Sequence, residues 1–165
     1  MSNKLEIQNV DWGTDLPEIV FPSDEDIASI RAMATEVPTP EARIRIALGK
    51  GWLRDFSVNL DPALRHDLLG RAIRRRRVQD LASLVARFDL VTSALGIDYP
   101  TDNNWAAGPS ISLHSSRIEN CCLATEPLHW SLEVYHCQCP APAHFHGSTL
   151  LGPVSFVGTT FQDAV

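Results

Sequence analysis

Residues 129–146 read HWSLEVYHCQCPAPAHFH, and they hold four of the six histidines and two of the four cysteines. Trp130, Leu132 and Val134 alternate with Ser131, Glu133 and Tyr135. That period of two marks a half-buried strand. Pro140-Ala-Pro142-Ala143 then stops a ladder, because proline has no N–H to donate and fixes its own φ. A strand can resume through Phe145, Thr149 and Leu151. If residues 140–143 form a hairpin loop, Cys139 faces His144 and Cys137 faces His146.

Cross-strand partners share a face, as do residues two apart on one strand. Cys137, Cys139, His144 and His146 would then outline a rectangle of roughly 5 Å by about 6.6 Å between backbone positions. Side chains can converge from it on a tetrahedral N₂S₂ site, with His136 and Glu133 as possible additional donors. Zinc fits such a set best, while iron and copper remain compatible with it. Four ligands would make a closed structural site; fewer would leave a position open for catalysis. The competing expectation is ordinary packing, since free cysteine is often a small buried hydrophobe. The C-x-C-x4-H-x-H spacing matches none of the common zinc signatures. His144-Phe-His146 resembles the opening H-x-H pair of a cupin metal motif, but no Glu or His follows His146. No family is assigned on it.

Outward from this stretch, the 165-residue chain has the apolar content of a globular protein. It has no apolar run long enough for a membrane span and no secretory leader pattern. A cytoplasmic location is the default expectation, with reduced thiols. The net charge of −6 is unevenly distributed. Residues 1–41 carry −7, residues 42–77 carry +7 and residues 78–165 carry −6. An acidic arm docked on the chain's own basic segment is one consequence; a protein partner or a homo-oligomer there is another.

Residues 1–22 read as an extended acidic arm. Ser23 with Asp26 forms a capping-box pattern before Ile27 and Ile30, and Thr39-Pro40 starts a second helix. Gly49-Lys50-Gly51 lacks the G-x4-G-K-[ST] spacing of a phosphate loop, so it reads as a turn. Leu64 to Ile73 and Leu81 to Leu95 carry helical stripes, as one helix or as two broken near Gly70. Arg71, Arg74, Arg75, Arg76 and Arg77 fall on that helical pattern and are candidates for anion or partner binding. Nucleic acid is disfavoured, because no interleaved aromatics or recognised motif accompany them.

Residues 100–110 read as a linker, and 111–165 as a β-rich module without evident repeats. The expected fold is therefore α+β: a helical module over 23–99 packed on a small C-terminal antiparallel β-sheet. Two functions remain open. One is a metal-binding protein; the other is a noncatalytic accessory or adaptor subunit binding a partner through amphipathic helices and polarised charge.

Overall fold

The computed structural model describes residues 16–61, 71–99, 109–123, 127–141, 143, 145 and 147–161. The helices come first. α1 (Asp24–Ala34) starts from a full capping box in which Ser23 and Asp26 bond each other's backbone N–H. α2 (Pro40–Lys50) has Thr39 as its cap and ends on Gly51 at φ 74°. A short 3-10 turn (Arg54–Phe56) leads into α3 (Ser57–Leu60). Later, α4 (Leu81–Leu95) runs from an Asp80 cap to Gly96 at φ 76°. Arg43 of α2 donates to the carbonyls of Ala34 and Leu95, so one guanidinium serves the C-terminal ends of α1 and α4.

The sheet is not antiparallel. β1 (Ile73–Arg74), β3 (Ser110–His114), β5 (Ser131–Tyr135) and β7 (Val154–Val157) form one four-stranded parallel sheet. β2 (Arg77–Val78), β4 (Arg117–Ile118), β6 (Gln138–Cys139) and β8 (Thr160–Phe161) form a second. Each successive pair of strands is one coil, and four coils stack in register. Leu113, Val134 and Phe156 are equivalent positions, so the later coils take 21 and 22 residues. The first interval, from Ile73 to Leu113, is longer because α4 is inserted in it.

A tight corner joins the two strands of each coil. Arg75, Ser115, His136 and Gly158 occupy it, all left-handed, with φ of 53°, 51°, 53° and 61°. A left-handed residue turns the chain sharply, and this changes which side chains face inward. In an unbroken strand Val134 and Cys137 would point to opposite faces. Around the His136 corner both are buried in one core. The expected hairpin is thereby replaced: Cys139 pairs with Phe161 on the next coil, in parallel.

The same coils revise the helical expectation for 23–99. Arg74 to Arg77 lie on strand, corner and strand rather than on a helix, so residues 62–95 are not a single helix. The stripe over 64–70 and most of the 100–110 linker lie outside the described residues.

α1 and α4 pack together, and their apolar stripes join the strand interiors in one core. An aromatic file runs through it. Phe56 meets Phe88 edge-on at 5.3 Å, and Phe88 meets Trp130 at 5.8 Å. Such pairs add about 0.5–1.5 kcal/mol beyond burial. At Gly152 the backbone of Trp130 comes so near that a Cβ would stand 2.5 Å from its carbonyl oxygen, which only glycine accommodates. None of the described helices is long and apolar enough to cross a membrane.

Candidate functional site

Stacking turns separated residues into columns. One column reads Arg74, His114, Tyr135, Val157, and the corner column beside it reads Arg75, Ser115, His136, Gly158. Past the corner, Arg77, Arg117, Gln138 and Thr160 align. Ser116 fastens the first two coils here. Its hydroxyl donates to the His114 carbonyl (3.0 Å) and accepts from the Arg76 N–H (3.1 Å). Together the columns grade from strongly basic in the first coil to uncharged in the fourth.

The five candidate arginines have separate tasks. Arg71 is buried, and its Nε donates to the Val58 carbonyl at 3.0 Å, which fixes α3. Arg76 pairs with Asp55 at 3.1 Å, and Arg77 with Glu18 at 3.4 Å. Glu18 is the acidic side of the N-terminal segment. Pro17 accepts from the Arg77 N–H (2.8 Å) and Ile19 donates to the Arg77 carbonyl (3.0 Å), so residues 17–19 run along β2. The amide of Gln79, with Arg77, holds the Glu18 carboxyl below its ordinary pKa. Arg74 and Arg75 remain at the surface.

His114 borders them. It is buried, its Nδ1 lies 3.5 Å from an Arg74 nitrogen, and its ring sits 4.8 Å from that of Tyr135. Because Arg74 can only donate, Nδ1 accepts and Nε2 carries the proton. That Nε2 has no hydrogen-bond partner among the described residues. Burial, then the charges of Arg74 and His136, push the His114 pKa down.

Of the four expected metal ligands, Cys137 and Cys139 are among the described residues. Both are buried in the core. The Cys137 thiol lies 3.6 Å from the Leu113 carbonyl, and burial pushes its pKa up to about 12. Cys139 shares a thiol hydrogen bond with Cys121; that bond and burial hold its pKa far above the ordinary value. His136 is at the corner, and Glu133 accepts from Ser112 at 3.2 Å. His144 and His146 lie outside the described residues. Among the described residues, no group of three or more His, Cys, Asp or Glu side chains is placed to hold a metal.

One constellation gave no sequence signal. Asp89 on α4 accepts the Trp130 indole N–H at 2.7 Å, and Tyr99 stacks on His129 at 3.9 Å. Burial raises the Asp89 pKa, while Trp130 and His129 oppose the rise. Asp89 sits on the helical stripe forty residues before His129, and only the stacking of α4 on the coils brings them close. The indole bond gives Asp89 a structural partner, so the group reads as a helix-to-coil fastening.

No family model matches the chain, and comparisons with curated proteins and with solved structures give no match.

Proposed function

We propose that this chain is a noncatalytic accessory or adaptor protein that binds an acidic partner through the corner surface of its first two coils. The observation that carries this reading is the surface position of Arg74 and Arg75 beside His114, on a corner rigidly set by stacked strands. Stacked repeats commonly bind along such an extended row of equivalent positions. The apolar faces of α1 and α4 are consumed internally, which moves the partner surface from the helices to the coils. Guanidinium groups suit carboxylates, which they can hold by paired hydrogen bonds.

Fluorescence anisotropy with a labelled oligoglutamate peptide tests the reading. Binding is expected to weaken with salt and to fall at least about tenfold in Arg74→Glu/Arg75→Glu, equivalent to about 1.4 kcal/mol. Equal binding by the folded double variant would contradict it.

A further inference from the structure

The two ends of the coil stack differ. At the first coil, the outer side of β2 is taken by residues 17–19. At the fourth, β7 and β8 are the last strands of their sheets among the described residues. The carbonyls of Pro153 and Val157 point back to Leu132 on β5 and to His136 at its corner. Alternation along the strand therefore turns the peptide groups of Val154 and Phe156 to the open side. An open edge is a template for another strand.

Most proteins blunt such edges with charge, and stacked-repeat proteins close their ends with a polar cap. This end has neither among the described residues. The sequence has no Asp, Glu, Lys or Arg between Glu133 and Asp163, which spans the whole fourth coil. Leu150, Leu151, Val157 and Phe161 are 46%, 50%, 45% and 37% exposed there.

We propose that the fourth coil is a homodimer surface, on which two copies of this chain meet tail to tail. Charge selects the occupant. An uncharged edge gives a charged foreign partner nothing to read, but it meets its own copy without repulsion. A twofold axis sets β7 antiparallel to β7 of the second copy, so each Val154 and Phe156 peptide group gains a partner. An isologous twofold contact uses the same edge of both copies, so assembly stops at two. Each chain carries −6, and that long-range repulsion is screened by salt. Salt therefore strengthens this contact, whereas it weakens binding at the arginine corner.

Sedimentation equilibrium of the full chain, from about 10 μM to about 1 mM and at low and high salt, tests the proposal across the range of a small, weak interface. The wild type is expected to show a monomer–dimer equilibrium that shifts to dimer with salt. Val157→Lys and, independently, Thr160→Lys place a charge on the edge and are expected to weaken it at least about tenfold. Circular dichroism verifies that each variant is folded. Slower hydrogen exchange at Val154 and Phe156 in the dimer gives a readout that needs no variant. A strictly monomeric wild type, open-ended oligomers, a dimer unchanged in either folded variant, or concentration-independent exchange at both amides would overturn the proposal.

Discussion

The His136 ring lies directly against Gly158, the equivalent corner of the next coil, where a Cβ would collide with its Nδ1. Gly158 also has φ 61°, a conformation costly for a side-chain-bearing residue. Gly158→Ala is therefore expected to cost about 1–3 kcal/mol by urea denaturation. Gly147→Ala provides the comparison: its φ is 76° but nothing among the described residues lies within 4 Å of the added atom. It should cost only about 1 kcal/mol of backbone strain. Equal losses at both sites would mean that the ring of His136 does not rest on the Gly158 corner.

The Asp89–Trp130 bond links α4 to the third coil. Trp130→Phe keeps an aromatic ring but removes the donor from a partly buried carboxylate, at a cost of about 1–3 kcal/mol. Trp130→Ala also breaks the aromatic file and should cost about 3–5 kcal/mol. Thermal unfolding separates the two. A harmless Trp130→Phe would show that the indole bond is not a fastening.

His114 makes stability depend on pH. Its folded pKa lies below 6.5, so above 6.5 it is neutral in both folded and unfolded chains. As pH falls through 6.5 the unfolded chain takes up a proton that the folded chain resists, and stability declines until the folded pKa is reached. His114→Gln should flatten this part of the stability–pH curve. An unchanged slope below 6.5 would place His114 in ordinary solvent.

The thiols should divide by burial. Cys121, Cys137 and Cys139 are buried, while Cys122 is partly exposed. With its pKa at about 12, Cys137 has almost no reactive thiolate at neutral pH. Mass-resolved alkylation of the folded chain should label Cys122 first and leave the other three slow, with or without a chelator. Faster labelling of Cys137 and Cys139 once chelator is added would restore a metal to those sulfurs.

The local signals in the sequence report local structure. Ser23 with Asp26, Thr39-Pro40 and the Leu81–Leu95 stripe each act within a few residues of chain, and each marks a helix. The alternation from Trp130 to Tyr135 likewise marks β5. Strand direction was not legible, because parallel partners are decided some twenty residues away. The corner was also hidden: Arg75, Ser115 and His136 adopt the left-handed turn without the glycine that usually announces it. Aligned afterwards, IRRRRV, LHSSRI, VYHCQC and FVGTTF share only apolar first and last residues. Two apolar positions per coil, with a helix inserted after the first, leave little period to detect. The hairpin drawn for the His/Cys cluster failed because it assumed that the strand doubled back at Pro140, whereas Cys139 pairs in parallel with Phe161 on the next coil.

The parallel stack is tested most directly by a disulfide between Tyr135→Cys and Val157→Cys, which are register partners on β5 and β7. Neighbouring strands bring such positions to about 5 Å, within the disulfide range of about 4.4–6.8 Å. Mild oxidation of the folded double variant, followed by peptide mass analysis, should give the 135–157 bridge within one chain. A folded variant that oxidises elsewhere and never forms that bridge would contradict the parallel coil stack.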